Sequence, residues 1–493
     1  SLAGTLALGK LIVLYDKNDI TIEGKIDVTF DEDVKKRYKA YGWQVLEVED
    51  GNTDLKAIGK AIEEAKAEKE KPSLIIIKTD IAYGCPAKQG SESSHGAPLG
   101  DDNIEAMKEK LCWPHEEAFF VPDEVKKHIG ELKAVFAEEE KQWNSLYARY
   151  AQEYPELDKQ YKEYLKPVDP KLFDDKAYWE FEDKPVATRQ SSGEVLNKLS
   201  KMVPQLMGGS ADLAPANNSV MKDRAYYSKD DRTGTNIHFG IREFAMSAIC
   251  NGMSLHGGIM PYCATFLVFS DYMKGGIRMS ALMGRPVTYV LTHDSIGVGE
   301  DGPTHEPIEH LAALRATPGV YTWRPADSKE TAAAYSFAMT ANAPNAIALS
   351  RQPLPQQKES GKKALRGAYI AQDTDAKPDV ILLATGSEVA LCMDAAEALA
   401  KKNIAARVVS MPCIELFEEQ DEAYQKSVLP CEVTARVAVE AATSFGWAQY
   451  VGQKGGYVTI DRFGASAPAN TMFEKFGFTV ENVVGTVEKV LKK

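Results

Sequence analysis

Long apolar runs, basic blocks and closely spaced cysteines are all absent from this sequence. The longest apolar runs, such as LIVLY and SLIII, have the length of strands and fall far short of the ~20 residues of a membrane helix. Lysine and arginine number 58 against 71 aspartates and glutamates, so the net charge is −13. This acidic balance argues against nucleic acid or an anionic membrane as a partner. None of the seven cysteines forms a CxxC pair, which indicates reduced thiols in a cytoplasmic protein rather than a disulfide framework or a zinc site.

The familiar nucleotide-binding and hydrolase signatures are absent as well. No Walker A loop or GxSxG elbow is present, and no Rossmann GxGxxG fingerprint stands out. Instead, short apolar runs alternate with helical patterns, as in the segment 53–70, where apolar residues recur every three or four positions. Such alternation predicts an α/β fold of mostly parallel β-sheets flanked by helices. The predicted strands are Leu11–Asp16, Ser73–Thr79, Val287–Thr292, Ala346–Ser350, Asp379–Thr385, Ala406–Met411 and Val437–Glu440.

The length of 493 residues predicts about three domains, and the composition places their boundaries. Residues 116–185 are charged, rich in Tyr and Trp and interrupted by prolines, as in a long connection. A polar stretch, QPLPQQKESGKK at 352–363, marks a second boundary. The predicted domains are therefore 1–150, 151–360 and 361–493.

The densest polar segment is THDSIGVGEDGPTHEPIEH, residues 292–310, directly after a predicted strand. Polar residues at the carboxyl end of a parallel strand lie where α/β sheets bind ligands. The glycines of this segment allow a close approach of the backbone to a ligand. Two alternatives remain open here: a solvated glycine-rich turn, and a metal site built from His293, His305 and His310.

Glu243 begins an apolar helix in the segment HFGIREFAM. Apolar surroundings favour a neutral carboxyl group, as an acid/base carboxylate requires, although a glutamate in a first turn also simply stabilises a helix. Downstream, Phe266, Phe269 and Tyr272 are spaced three residues apart on a predicted helix. This stripe is typical of a core, and it would also suit a pocket for a flat heteroaromatic ring.

Several further polar residues lie in loops or at strand ends. Arg189 and Arg351 suit bidentate binding of a phosphate, with a surface salt bridge as the alternative. Asn18 follows a predicted strand and suits either a ligand contact or an Asx-turn. Asp212 and His95 lie in loops of small residues. These residues predict a multidomain α/β enzyme that acts on an acidic or phosphorylated substrate.

Together these segments resemble the transketolase family. The shared motifs are SLAGTL, LIVLYD, ITIEG, SSHGAPLG, VATRQ, GGSADLAP, HFGIREFAM, TFLVFSDY, THDSIGVGEDGPTHEP, WRPAD, ALSRQPLPQ, ATGSEV and FGASAPA, in the family's order over essentially the whole chain. The resemblance implies a thiamin diphosphate-binding fold with pyrophosphate-binding, pyrimidine-binding and C-terminal domains, in a homodimer with active sites at the interface. It also implies reversible transfer of a two-carbon glycolaldehyde unit from a ketose phosphate to an aldose phosphate through a thiamine-diphosphate carbanion. The implied pathways are the pentose phosphate pathway and the Calvin cycle.

The resemblance also assigns roles to individual residues. Asn18 and the carbonyl group of Ile20 resemble two ligands of the Mg²⁺ or Ca²⁺ ion at the cofactor diphosphate, which suits hard oxygen donors. Glu243 matches the glutamate that hydrogen-bonds the pyrimidine ring and promotes its imino tautomer, and His293 joins it as a catalytic residue. The other implied cofactor contacts are Ile22, Ile81, His95, Asp212, Phe266, Phe269 and Tyr272. The implied substrate-binding residues are His95, Arg189, His293, Asp301, His305 and Arg351, with Arg189, Arg351 and His293 neutralising the phosphate.

Two departures from the family pattern are visible. Ala216 stands where the family usually has a phosphate-binding serine, and the lost hydrogen bond is worth about 1.5–3 kcal/mol. The family's GDG segment, expected directly upstream of SLAG, is absent. We therefore expect a piece of a longer protein, a separate chain that supplies the missing half, or a molecule that does not bind the cofactor productively.

The unbroken THDSIGVGEDGPTHEP and IREFAM motifs favour transketolase over 1-deoxyxylulose-phosphate synthase, dihydroxyacetone synthase and the E1 components of dehydrogenase complexes. The alternative from another class is a catalytically incompetent, transketolase-like fragment that serves as a binding subunit. It rests on the absent GDG segment alone.

Overall fold

The computed structural model describes residues 1–492, which form two compact units. The first unit comprises Ser1–Pro155 and Ser228–Arg232, and the second comprises Glu156–Tyr227 and the chain from Thr233 onward. Both units contain mostly parallel β-sheets flanked by helices, so the predicted α/β class is confirmed. The three domains 1–150, 151–360 and 361–493 remain a prediction.

The first unit is built on three parallel strands, β1 (Ile12–Lys17), β2 (Gln44–Val48) and β3 (Ser73–Lys78), in the order β1–β3–β2. Its helices are α1 (Leu2–Thr5), α2 (Val34–Ala40), α3 (Leu55–Ala67), α4 (Asp101–Lys110) and α5 (Asp123–Glu153). The central strand β3 is buried from its first residue to its fifth because both of its faces are covered. Ala61 and Ala65 of α3 pack with Ile75 on one face, and Trp43 packs with Leu74 on the other.

The second unit contains a six-stranded parallel sheet in the order β8–β9–β7–β6–β4–β5. Its strands are β4 (Leu206–Ser210), β5 (Asn236–His238), β6 (Met260–Phe266), β7 (Thr288–Thr292), β8 (Tyr321–Trp323) and β9 (Asn345–Leu349). The helices of this part are α6 (Pro155–Tyr164), α7 (Thr188–Met202), α8 (Ala214–Asn217), α9 (Glu243–His256), α10 (Ser270–Leu282), α11 (His310–Arg315) and α12 (Ser328–Thr340). Every residue of β7 and β9 is buried, as expected of central parallel strands.

The second unit also contains a five-stranded sheet in the order β10–β12–β11–β13–β14, in which only the edge strand β10 is antiparallel. Its strands are β10 (Tyr369–Gln372), β11 (Val380–Ala384), β12 (Ala406–Ser410), β13 (Arg436–Val439) and β14 (Gly456–Val458). Its helices are α13 (Glu388–Ala400), α14 (Ile414–Glu418), α15 (Glu422–Val428), α16 (Ala448–Val451), α17 (Ala469–Lys475) and α18 (Val480–Leu491).

Short elements complete the fold. Two antiparallel pairs of two-residue strands are formed by Ile20–Thr21 with Gly24–Lys25 and by Val186–Ala187 with Pro353–Leu354. The 3₁₀ helices are Ile26–Val28, Glu92–Ser94, Pro170–Asp174, Lys176–Trp179, Leu267–Phe269, Ile296–Asp301 and Lys362–Arg366.

Buried ion pairs join the two sheets of the second unit. Arg324, which follows β8, is fully buried, and its Nε donates to Asp294 Oδ2 at 2.9 Å. Its Nη1 donates to the carbonyl oxygen of Thr385 at 3.0 Å and also bonds to the carboxylate of Glu388 at the start of α13. Arg315 forms two bonds of 2.9 and 2.8 Å to Glu440. These guanidinium groups therefore hold the segment after β7 and helix α11 against the five-stranded sheet.

The seven predicted strands are all present, with ends displaced by at most one residue. The prediction that Phe266, Phe269 and Tyr272 share one helix is wrong. Phe266 ends strand β6, Phe269 ends a 3₁₀ helix, and Tyr272 lies in α10.

The described chain contains seven free cysteines, of which Cys112 and Cys431 are exposed and the other five are buried. The longest helix, α5, has 31 residues. Among residues 1–492, neither α5 nor any other helix combines the length and the apolar character that crossing a bilayer requires.

Candidate active site

Five of the predicted site residues lie at the carboxyl edge of the six-stranded sheet or beside it. Phe266 is the last residue of β6, His293 follows β7, and Arg351 follows β9 by two residues. Arg189 lies in the first turn of α7, and His305 belongs to the polar segment after β7. This edge is where parallel α/β sheets bind ligands, and the segment 292–310 supplies much of it.

His293 is held tightly at this edge. Its backbone adopts a left-handed conformation with φ of 63°, and its ring stacks on Phe266 with 3.6 Å between the centroids. Its side chain is 3% exposed. Burial first, and then the nearby charges of Arg189 and Arg351, lower the pKa of His293 to about 3. The imidazole is therefore neutral at physiological pH.

Two guanidinium groups supply the positive charge beside His293. Arg189 Nη1 donates to the carbonyl oxygen of Ala216 at 2.9 Å and lies 3.4 Å from His293 Nε2, while its buried Nε has no hydrogen-bond partner among the described residues. Burial and the neighbouring Arg351 lower the pKa of Arg189. Within residues 1–492, neither arginine forms an ion pair, so the pair is available to an anion. The role of His293 in binding a phosphate stays a prediction.

Aromatic rings form a wall next to the two arginines. Phe266 and Phe269 stack at 6.0 Å with 11° between their planes, and Tyr272 follows at 6.1 Å from Phe269. His305 lies edge-on to Phe269 at 5.5 Å. Phe266 is 8% exposed whereas Tyr272 is 66% exposed, so the wall runs from the core to the surface. Two nearly parallel rings suit a flat heteroaromatic ligand.

Three carboxylates predicted to belong to the site lie in the second unit and have no side-chain partner among residues 1–492. Glu243 is half-buried at the first position of α9, as its sequence context predicted. Asp212, with φ of 64°, and Asp301, at the end of a 3₁₀ helix, are exposed. Their carboxylates make no side-chain hydrogen bond or ion pair with the part of the chain that the structure describes.

The predicted diphosphate and metal residues lie in the first unit. Asn18 Oδ1 accepts a hydrogen bond from the backbone N–H of Ile20 at 3.0 Å, which is the Asx-turn left open by the sequence. The second lone pair of this oxygen remains available to a hard cation. Ile22 is 71% exposed, Ile81 is partly buried and His95 is exposed.

The histidine metal site does not form. Among the described residues, the one group of potential ligand atoms close enough to share an ion combines His310 with Asp271 and Glu309. His310 Nε2 lies 3.2 Å from Asp271 Oδ2, whereas His293 and His305 lie against the aromatic wall. The sequence alternative of a site shared by His293, His305 and His310 is therefore wrong.

Three buried polar residues beneath His293 were not predicted from the sequence as site residues. Thr292 Oγ1 lies 2.8 Å from His293 Nδ1 and 2.7 Å from Asn217 Oδ1, and Asn217 Nδ2 donates to Ser210 Oγ. Thr292 and Ser210 each end a strand of the sheet. A polar residue at the last position of a buried parallel strand is the signal that could have identified Thr292 and Ser210, whereas Asn217 carries no such signal.

Comparison with known proteins assigns the family. The transketolase thiamine diphosphate binding domain matches residues 1–170, the transketolase pyrimidine binding domain 184–357, and the transketolase-like C-terminal domain 367–479. Transketolase of Halalkalibacterium halodurans is 51% identical over 497 residues, which cover 100% of this chain and 74% of that protein.

Solved structures agree. Transketolase from Leishmania mexicana superimposes with a TM-score of 0.95 at 41% identity, covering 100% of this chain and 72% of that one. The Pichia stipitis transketolase in complex with sedoheptulose-7-phosphate has a TM-score of 0.92 at 42% identity and covers 100% and 73%. The three matching domains and the relatives that align with the whole chain show that this chain is a transferase that belongs to the transketolase family.

Proposed function

We propose that this transketolase transfers a two-carbon glycolaldehyde unit reversibly between a ketose phosphate and an aldose phosphate. The observation that carries the proposal is the convergence of Arg189, Arg351 and neutral His293 at one edge of the six-stranded sheet. Two unpaired guanidinium groups suit a phosphate dianion. The sugar phosphate held by the Pichia stipitis relative supports the same substrate class for this chain.

We propose three further residues as substrate contacts: His95, Asp301 and His305. His305, which lies edge-on to Phe269, contacts the sugar, and exposed Asp301 accepts a hydrogen bond from a sugar hydroxyl group. His95 is shared between the substrate and the cofactor diphosphate. These assignments follow the family resemblance of the motifs that carry the three residues.

The residues present fit thiamine diphosphate. The near-parallel rings of Phe266 and Phe269, with Tyr272 beside them, would hold the pyrimidine ring, and Glu243 would hydrogen-bond to it. Asn18 Oδ1 and the Ile20 carbonyl would hold Mg²⁺ or Ca²⁺ at the diphosphate. When bound, this cofactor supplies the electron sink for breaking a carbon–carbon bond. Further proposed contacts are Ile22, Ile81, His95 and Asp212.

We also propose a homodimer with active sites at the interface. A run of large apolar side chains on and beside α9 and α10 is more than half exposed: Ile241, Phe244, Leu255, Tyr272 and Leu282. Exposed apolar surface of this extent is typical of a protein–protein interface. A cytoplasmic location and roles in the pentose phosphate pathway and the Calvin cycle remain predictions from the resemblance.

The test is calorimetric titration with thiamine diphosphate and Mg²⁺, followed by an assay of ketol transfer. We expect saturable, Mg²⁺-dependent binding by the wild-type chain. Glu243→Ala should abolish transfer while leaving the fold intact, and Glu397→Ala on the remote helix α13 serves as the control. Absence of binding would contradict the proposal and favour the inactive binding subunit, which no observation described above supports.

A further inference from the structure

A chain of buried hydrogen bonds ends on His293. Ser210 Oγ donates to the carbonyl oxygen of Ala264 at 3.1 Å, and Asn217 Nδ2 donates to Ser210 Oγ at 3.0 Å. Asn217 Oδ1 lies 2.7 Å from Thr292 Oγ1, which lies 2.8 Å from His293 Nδ1. Asn217 and Thr292 are fully buried, and Ser210 is 4% exposed. Each of these groups must therefore find its partners inside the protein.

The donor and the acceptor of each hydrogen bond in this series can be assigned starting from Ser210. Its single hydroxyl proton goes to the Ala264 carbonyl, which can only accept, and its oxygen accepts from the backbone N–H of Leu213 at 3.1 Å and from Asn217 Nδ2. If the Asn217 amide were turned over, its oxygen and the Ala264 carbonyl would compete for that one proton. The orientation with Oδ1 toward Thr292 makes one more hydrogen bond and is therefore favoured.

The same reasoning assigns the donor and the acceptor of the hydrogen bond to the imidazole. Asn217 Oδ1 can only accept, so Thr292 uses its only hydroxyl proton to bond to it. The oxygen of Thr292 consequently has only lone pairs to offer to His293 Nδ1, and Nδ1 must be the donor. In the neutral ring, Nε2 is then bare, which agrees with its position 3.4 Å from the donor Arg189 Nη1.

We propose that Asn217 is a positioning residue that keeps a proton on Nδ1 of His293, so that Nε2 is the ring nitrogen that meets the substrate. Asn217 acts through Thr292 and does not itself touch the reacting atoms. The assignment of the tautomer stands on the hydrogen bonds alone, whereas its effect on sugar phosphates rests on the function proposed above. With the proton committed to Nδ1, any change in hydrogen bonding between His293 and its ligand takes place at Nε2.

The direct test is ¹⁵N solid-state NMR of the full chain labelled at the histidine ring nitrogens, because protonated and bare ring nitrogens have well-separated resonances. His293→Gln identifies the His293 signals by their loss. We expect a protonated Nδ1 and a bare Nε2 at neutral pH, and a protonated Nδ1 also in the presence of inorganic phosphate. A spectrum with bare Nδ1 and protonated Nε2 would overturn the proposal.

Variants test the role of Asn217. Asn217→Leu frees the Thr292 hydroxyl to donate to Nδ1, so the population with protonated Nδ1 should fall. Asn217→Asp keeps an acceptor toward Thr292 and should retain the wild-type tautomer. Asn251→Leu is the matched control, since Asn251 is 5% exposed and donates to the Gly276 carbonyl without contacting His293. If Asn217→Leu does not fold, Thr292→Val removes the acceptor of Nδ1 and should lower the same population.

Kinetics give a second measurement. A proton at Nε2 would face the N–H of Arg189, so the two side chains should separate and the phosphate subsite should lose its geometry. We expect Asn217→Leu to raise the KM of a ketose phosphate about tenfold with little change in kcat, and to leave the KM of an unphosphorylated ketose unchanged. An unchanged tautomer in Asn217→Leu would refute the role of Asn217. This outcome is distinct from failure of the proposed function, because the NMR experiment requires neither cofactor nor turnover.

Discussion

Two guanidinium groups, those of Arg189 and Arg351, lie at the proposed phosphate subsite, beside His293, whose pKa is lowered to about 3 chiefly by burial. Arg189 is further restrained by its bond to the Ala216 carbonyl, so the side chain at position 216 lies next to the group that binds the anion. Alanine offers no hydrogen bond there. At the scale of single residues, this position offers a direct way to strengthen substrate binding.

We predict that Ala216→Ser lowers the KM of phosphorylated substrates. A hydroxyl group that donates to a phosphate contributes about 1.5–3 kcal/mol, which corresponds to at least about tenfold in affinity. Steady-state kinetics with a ketose phosphate and with its unphosphorylated analogue test this prediction. The unphosphorylated ketose provides the internal control, and an equal change for both substrates would contradict the explanation.

The burial of Glu306 predicts that the stability of the folded protein depends on pH. Its carboxyl group is 2% exposed, Oε2 accepts from the backbone N–H of Ala465 at 3.1 Å, and Oε1 has no partner among the described residues. Burial raises the pKa of Glu306 from 4.5 to about 7. Between these values the folded state binds more protons than the unfolded state, so the contribution of this group to stability is lost as the pH rises.

Glu306→Gln should remove this dependence. The measurement is the free energy of unfolding by urea, for the variant and for wild type, at pH 5 and at pH 8. We expect the stability of the variant relative to wild type to be greater at pH 8 than at pH 5. Glu309→Gln, whose wild-type side chain is 59% exposed, should show no such difference. A Glu306→Gln difference that is constant across the pH range would mean that the carboxyl group does not titrate there.

The residues of the site were predictable to different degrees. Arg189, His293 and Phe266 lie in motifs whose residue types match a phosphate and an aromatic ligand, and the structure brings them together. Asn217 could not be identified, because an asparagine in a loop reads as a turn residue whether or not it is buried. Its role depends on Ser210 and Thr292, which approach it only in the folded sheet.

At the scale of elements, the strands were predicted well, whereas the transition from strand to helix between Phe266 and Tyr272 was not. Strands β7 and β9 are near-continuous apolar runs with clear ends, and such runs are typical of central parallel strands. The segment from Phe266 to Tyr272 passes from strand through 3₁₀ helix to α-helix. Aromatic residues three positions apart imitate a helical stripe there, because spacing alone does not reveal where one element ends.

The buried ion pairs of Arg324 give a prediction at this scale. Arg324→Met leaves the carboxylates of Asp294 and Glu388 buried without their cation, which should destabilise the second unit by about 3–5 kcal/mol. Thermal or urea unfolding measures the loss. Lys402→Met removes a pair with Glu488 whose partners are 52% and 37% exposed, and it should cost less than about 1 kcal/mol. Equal effects of the two variants would refute the importance of burial.

At the scale of the whole molecule, the exposed apolar run on α9 and α10 predicts self-association. Leu282→Asp places a charge on a side chain that is 69% exposed in the single chain, so it should shift the species in solution from twice the 54.2 kDa chain mass toward one chain. Analytical ultracentrifugation measures this shift. Leu491→Asp, at a leucine that is 39% exposed on the last helix, is the control. A wild-type protein that sediments as a single chain would contradict the dimer.

The buried guanidinium groups that join the two sheets of the second unit also restrict how this protein can be recombined. Arg315 and Arg324 precede the polar stretch 352–363, whereas Glu388 and Glu440 follow it. A chimera that exchanges the sequence beyond this stretch for that of a distant relative must supply carboxylates at the same places, or Arg315 loses its partner and Arg324 keeps only Asp294. The stretch 352–363 is thus a poor crossover point for exchanging domains, although its composition is typical of a flexible linker.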